Sequence, residues 1–301
     1  MDVLWYYGAI ALAKILRALP LRFVARLGRI GGGITYFLDA RHRRVALLNL
    51  TQCFPEKTSS ERRELAREHF RRLGENYASA VKTSGMSNEE VTKHLDVDGA
   101  EKLIAHGSRG AVVAIGHFGN FELQARTSIA MPGVRIATTY RALKQPRLDA
   151  LVRELRRESG CLFFDRRRDG ESLRRALASG GIFLGLLSDQ HAGSGGLRVR
   201  FFGHACSTTA APAVLAQRYA LPLHTAVCFR VALAQWRIEI GDEIPTRRDG
   251  QRRSAAEIMA DVNSAFEMAV RRDPANWFWV HDRWRFFKQR RSRPVDATVP
   301  A

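Results

Sequence analysis

An α/β fold is the architecture this chain predicts, on three observations. From Ala111 onward, short runs of aliphatic and β-branched residues alternate with amphipathic stretches. Glycines and other turn formers separate the runs. The 301 residues suffice for one large core, with no repeat or low-complexity tract.

The amino terminus opens with an unbroken apolar run, Val3 to Ala13, containing Trp5, Tyr6 and Tyr7. Asp2 stands where a signal peptide carries cations, and Lys14 and Arg17 interrupt the helical pattern. The run is shorter than the ~20 apolar residues a spanning helix needs. An interfacial helix with aromatic rings at headgroup depth fits better, the alternative being a helix packed on the protein's own core. After Pro20, Leu21 to Leu38 places Arg22, Arg26 and Arg29 at helical spacing beside Phe23, Leu27 and Ile30, as suits a helix on an anionic bilayer. Gly31, Gly32 and Gly33 are expected to loosen or break that helix. Residues 1–38 are therefore expected to form a membrane-associated helical segment, and residues 39–301 a single domain with a basic tail at Lys288 to Arg293.

Arg41 to Cys53 reads as a basic helix, ended by Pro55. Thr58 and Glu61 form a capping box for an amphipathic helix carrying Ala66, Phe70, Leu73, Tyr77 and Ala80, to about Ser84. These helices read as scaffold and membrane face. Further on, strands are expected at Ala111 to Ile115, Val134 to Tyr140, Cys161 to Phe164, Ile182 to Leu187, Pro222 to Val231 and Gln235 to Ile240. Helices are expected at Phe121 to Ala130, Pro146 to Ser159, Glu171 to Ser179, Thr208 to Tyr219 and Ser254 to Arg272.

In such sheets, sites gather where loops leave the carboxyl ends of strands. The first expected strand ends in Gly116-His117-Phe118-Gly119-Asn120-Phe121-Glu122. Gly116 and Gly119 permit a tight bend and close substrate approach, and Asn120 is expected to cap the helix starting at Phe121. Across such a turn the Glu122 carboxylate can fold back onto the His117 imidazole, and a held imidazole is a positioned general base. Tyr140-Arg141 closes the second strand, making Arg141 a candidate cation for developing negative charge or a phosphate. Arg166, Arg167 and Arg168 follow the third strand and form either a phosphate grip or a solvated turn. Asp189 and Gln190 follow the fourth, on a turn continuing through Gly193, Gly195 and Gly196.

Net charge is +18 and the excess is mostly arginine, so an anionic partner is expected: nucleic acid, an acidic membrane face or a phosphorylated substrate. The basic residues are spread along the chain without a helix-turn-helix, zinc-finger or RNP pattern, which argues against nucleic acid. Cys53, Cys161, Cys206 and Cys228 are scattered, indicating neither a zinc site nor a disulfide framework. His117, Glu122, Asp189 and His191 lack a compact metal-ligand spacing, so no metal is expected. Ser188 lacks a nucleophile elbow, so no covalent intermediate is expected.

His117 and Glu122 fit the H-x4-E signature of glycerolipid-type acyltransferases, and the wider string Gly116 to Glu122 resembles the bacterial lipid A late acyltransferases. Arg44 to Leu50 with Cys53-Phe54-Pro55-Glu56, Tyr140-Arg141, Ser188 to Gly193, Phe201 to Ala205 and Trp277 to Trp284 extend the resemblance over roughly residues 40–290. Phe121, Ala142, His191 and Asp282 stand where that family commonly has Trp, Pro, Asp and Arg. The resemblance implies a mixed, mostly parallel sheet flanked by helices, behind amino-terminal membrane-associated helices. It implies transfer of an acyl chain from acyl carrier protein or coenzyme A thioester to a hydroxyl of an anionic, phosphorylated lipid A precursor, without a cofactor. The location implied is the inner (cytoplasmic) membrane, with the site facing the cytoplasm. His117, Glu122 and Arg141 are then the expected catalytic residues. Gly119, Asn120, Tyr140, Arg166, Arg168, Asp189 and Gln190 are the expected substrate contacts. The nearest alternative acceptor is another glycolipid or a phospholipid, such as a phosphatidylinositol mannoside.

Overall fold

A computed structural model of the chain describes residues 2–285, with side chains described from Tyr6. Trp5 and the Lys288 to Arg293 tail lie outside the described side chains and residues. The elements run α1 (Asp2–Ala18), α2 (Leu21–Leu38), α3 (Ala40–Cys53), α4 (Ser59–Thr83), α5 (Asn88–Thr92), β1 (Leu95–Asp98), α6 (Ala100–Ile104) and β2 (Ala111–Ile115). They continue with β3 (Arg135–Tyr140), α7 (Pro146–Arg157), β4 (Leu162–Asp165), α8 (Gly170–Ala178), β5 (Ile182–Leu187), β6 (Leu197–Phe201) and β7 (His204–Thr208). The last are α9 (Ala211–Arg218), β8 (Leu223–Ala232), β9 (Gln235–Ile240), β10 (Arg247–Arg248), β11 (Gln251–Arg252) and α10 (Ala255–Arg272).

Among the described residues the main sheet has seven strands in the order β1-β9-β8-β2-β5-β3-β4. Every neighbouring pair is parallel except β8 with β9. The central strands are nearly continuous apolar runs because both faces are covered. Strand alternation divides them between two cores. Val112, Ala114, Leu184 and Leu186 pack with residues of α3, α4, α9 and α10, while Ala111, Val113, Ile115 and Phe183 pack with Leu123, Met131, Trp236 and Ile238. β6 and β7 form a separate hairpin, and β1 is an edge strand. Neither was expected from the sequence, where Thr208 was assigned to the following helix.

The capping box at Thr58 and Glu61 is formed, and Ser254 with Glu257 makes another at α10. Two local expectations give way to packing. First, α2 continues unbroken through Gly31, Gly32 and Gly33. A Cβ at Gly32 would collide with the Phe70 backbone, so here glycine permits close helix crossing on α4 rather than ending the helix. Second, Phe121–Ala130 forms 3₁₀ turns rather than an α-helix, and Asn120 supplies no side-chain cap. The three-residue period sets Leu123 with Arg126 and Gln124 with Thr127, all buried. Arg126 then donates to the Glu158 carbonyl at 2.7 Å and to Asn88 Oδ1 at 2.7 Å, tertiary bonds that outweigh local propensity.

No described helix is long and apolar enough to cross a membrane. On α2, Phe23, Leu27, Ile30, Ile34 and Phe37 form an exposed apolar row, with Arg22 and Arg26 beside it. Arg29 does not join them. It is turned onto α4, where it pairs with Glu68 at 2.9 Å and the buried Glu75 at 3.2 Å. The expected stripe of three arginines is therefore two.

Candidate active site

β2 and β5 are parallel neighbours in a register that pairs Ile115 with Leu187. Two residues beyond each, His117 and Asp189 arrive at the same level of the sheet. The His117 Nδ1 lies 2.6 Å from Asp189 Oδ1, and the His117 backbone N–H donates to Asp189 Oδ2 at 2.8 Å. Trp277 Nε1 donates to the same Oδ2 at 2.8 Å. Burial alone would raise the Asp189 carboxyl, but the neighbouring His117 and these hydrogen bonds outweigh it and hold the group below its ordinary value. An ionised, buried carboxylate against Nδ1 fixes the Nδ1–H tautomer, leaving the Nε2 lone pair outward.

The sequence assigned that orienting role to Glu122, and the structure corrects it. Glu122 lies on the 3₁₀ segment and is held by Arg156 of α7, with Nη2 to Oε1 at 2.6 Å and Nε to Oε2 at 3.0 Å. A forked guanidinium offers the carboxylate two donors, which one imidazole N–H cannot match. The ring of His117 instead rests edge-on to Phe121, with centroids 4.9 Å apart, and beside Phe278 at 5.7 Å.

Two cavities meet at His117, Phe121, Glu122 and Arg156. The first, ≈ 260 Å³, runs between α4, the 3₁₀ segment and α7, with Leu73, Tyr77, Ala80, Leu123, Leu155 and Phe278 among its walls. Gly119 and Asn120 also line it. Gly119 has φ +50 and a Cβ there would meet the Cys228 carbonyl, so the turn admits glycine. Asn120 is buried, and neither side-chain polar atom has a hydrogen-bond partner among the described residues. The second cavity, ≈ 520 Å³, opens over the carboxyl ends of β2, β3 and β5. Tyr140, Arg141, Arg166, Gln190 and His191 line it.

Of the residues expected at the site, Asp189 and Arg168 line neither cavity: Asp189 is buried behind His117, whereas Arg168 is exposed and its backbone N–H donates to Asp165 Oδ1 at 3.1 Å. Asp165 organises that whole turn, also accepting from Arg167 and Ala142, so Arg167 and Arg168 belong to a solvated turn. The His191 backbone N–H donates to His281 Nε2 at 2.9 Å. That bond needs a neutral His281, and burial pushes the ring down to about 4.

Three contributors escaped the sequence reading. Arg156 looked like one helical arginine among several. Leu73, Tyr77 and Ala80 of α4 were read as scaffold, yet they form a cavity wall. The Trp277-Phe278-Trp279 block was read as packing. Trp277 and Trp279 are buried in the core, but Trp277 also bonds Asp189 and Phe278 flanks His117. A dense aromatic run beside a titratable strand-end pair was the available signal.

The sequence profile of the bacterial lipid A biosynthesis acyltransferases matches residues 2–286. The chain is 26% identical over 287 residues to the lipid A biosynthesis palmitoleoyltransferase of Escherichia coli (strain K12), spanning 92% of this chain and 88% of that one. A lipid A biosynthesis acyltransferase of Shigella flexneri gives the same figures. One from Haemophilus influenzae is 28% identical over 169 residues, 54% of this chain and 52% of its own. The profile thus runs from the first helix through the aromatic block that closes the His117 site, and the chain belongs to the bacterial lipid A biosynthesis acyltransferase family and is an O-acyltransferase.

Proposed function

We propose that the protein transfers a fatty acyl chain from an acyl thioester, on acyl carrier protein or coenzyme A, to a hydroxyl of a phosphorylated lipid A precursor, with His117 as general base. The observation that carries this reading is the His117 Nδ1 to Asp189 contact of 2.6 Å where an apolar cavity meets an arginine-bearing one. The acceptor hydroxyl gives its proton to His117 Nε2 as its oxygen attacks the thioester carbonyl. Collapse of the tetrahedral adduct expels the thiolate, which recovers the proton from the imidazolium. Asp189 balances the imidazolium charge and Trp277 keeps the carboxylate in place. No acyl-enzyme forms.

The acyl chain occupies the apolar cavity, and Arg141, Arg166 and Tyr140 face the anionic headgroup in the other. Glu122 and Arg156 form the partition between them, so Glu122 acts by placing Arg156. The apolar row of α2, flanked by Arg22 and Arg26, lies on the cytoplasmic face of the inner membrane, where the acceptor lipid resides. The deciding experiment supplies purified protein with acyl-acyl carrier protein, acyl-coenzyme A and a lipid A precursor, each pairing read by mass spectrometry. Acylated precursor from wild type and none from folded His117→Ala is expected. Equal product from both would end the general-base reading, while acylation of a phosphatidylinositol mannoside alone would move the acceptor to that class.

A further inference from the structure

A second cluster of chemically capable side chains sits at the opposite end of the same strands. His106 follows α6 on the loop entering β2, His224 is near the amino end of β8, and Glu243 follows β9, which returns antiparallel to β8. The Nε2 atoms of His106 and His224 are 2.9 Å apart. With the nearest Glu243 oxygen, all three ligand atoms fall within 4.8 Å of one another. From this arrangement the geometry points to a divalent-cation site of the zinc class, built by His106, His224 and Glu243 and separate from the His117 centre.

The orientation of His224 is the strongest support. Its Nδ1 lies 3.0 Å from the Gly241 carbonyl, which can only accept, so Nδ1 bears the proton and Nε2 presents its lone pair to His106. A backbone carbonyl behind the distal nitrogen is the usual support of a metal-bound imidazole. His224 is buried, His106 is half-buried, and Glu243 is exposed. Two nitrogens about 2.05 Å from a tetrahedral zinc stand about 3.3 Å apart, so the observed 2.9 Å requires a small ring rotation only.

The neighbouring cations Lys102 and Arg109 already have hydrogen-bond partners. Lys102 pairs with Asp242 at 2.7 Å, and Arg109 donates to the Ala220 carbonyl at 2.8 Å, which leaves Glu243 as the cluster's carboxylate. Two neutral imidazoles and one carboxylate form a mixed set of the kind zinc accepts, with water completing the coordination. A cation here ties the loop entering β2 to the turn after β9. Its role is to brace the sheet rather than to take part in acyl transfer.

The test uses full-length, tag-free protein stripped with a chelator and titrated with Zn²⁺ alone, read by calorimetry and thermal unfolding. One ion per chain and a melting temperature that climbs with zinc concentration are expected. His106→Gln should abolish the temperature shift, and Glu243→Gln should weaken binding about tenfold. Turnover of stripped and loaded wild type well below the melting temperature should agree, setting the site apart from the His117 chemistry. Because His224 is buried and its variants risk misfolding, the exposed and half-buried ligands carry the test. Absence of zinc binding, or undiminished binding in His106→Gln, would reduce the pair to a plain histidine–histidine hydrogen bond. Loss of turnover on stripping would overturn the bracing role.

Discussion

The two cavities at His117 share Phe121, Glu122, Ala125 and Arg156 and differ in nearly everything else. The apolar one is walled by helical side chains of α4 and α7, and the other by residues leaving the ends of sheet strands. Helix faces supply a smooth apolar lining because side chains three and four apart form a continuous stripe. Strand ends supply isolated polar groups on short loops, each aimed separately. His117 at the seam is thus open to an apolar cavity on one side and to a polar, arginine-bearing one on the other.

The largest expected effects fall on the seam itself. His117→Ala should cost roughly 10²–10⁴ in kcat with the fold retained, and Asp189→Asn should approach it, because the amide no longer enforces the tautomer. Glu122→Gln should cost under about tenfold, since Arg156 and not the imidazole is its partner. Steady-state kinetics on the three purified variants check the order. A Glu122→Gln loss equal to that of Asp189→Asn would return the orienting role to Glu122.

Next come substitutions confined to one wall. Ala80→Trp, projecting into the apolar cavity, should shift preference toward shorter acyl donors while leaving acceptor KM nearly unchanged. Arg141→Lys should raise acceptor KM about tenfold, near 1.4 kcal/mol, without altering chain-length preference, because a point charge does not replace a planar fork. A competition assay with mixed chain lengths separates the two. If either variant changed both properties, the division of labour between the cavities would be wrong.

An effect on stability rather than on turnover concerns pH and the wall that α4 contributes. Burial pushes His69 down to about 4, and His281 behaves alike. Both rings are held neutral in the fold and bind protons more readily once unfolded. Their contribution to stability is complete above pH 6.5 and is lost as pH falls from there toward about 4. The loss is on the order of 3 kcal/mol for the fully buried His69. Urea unfolding at pH 7 and pH 5 should show the midpoint dropping, and His69→Gln should flatten that drop. A midpoint equally pH-dependent in the variant would place the titration elsewhere.

The remaining expected change is on the surface and leaves the His117 site untouched. Phe37→Ser with Ile30→Ser on the exposed row of α2 should weaken vesicle flotation at every salt concentration, while Arg22→Gln with Arg26→Gln should weaken it only at low salt, by about 1 kcal/mol per arginine. Flotation unaffected by all four substitutions would move membrane contact off α2.

The central strands were legible because a buried parallel strand leaves an unmistakable apolar run. β2, β5 and β9 have the bounds their residues foretell, and the Thr58–Glu61 box is formed as read. The position of His117 at a strand end followed from the apolar run Ala111 to Ile115 and from Gly116 and Gly119. Its partner did not. Local spacing favoured Glu122, five residues away, whereas the true neighbour is 72 residues distant. Only the pairing of β2 with β5, and the register within it, brings Asp189 to the imidazole. Strand order depends on which apolar faces bury together across the whole chain, a property no local window contains. The same holds for Gly31 to Gly33, which read as a helix break until α4 came into close contact, and for Phe121–Ala130, whose helical pattern yielded to the buried bonds of Arg126. Sequence determined which residues could do chemistry and where strands would end; tertiary packing decided which of them meet, because side-chain contacts in an α/β sheet are set by strand adjacency and not by distance along the chain.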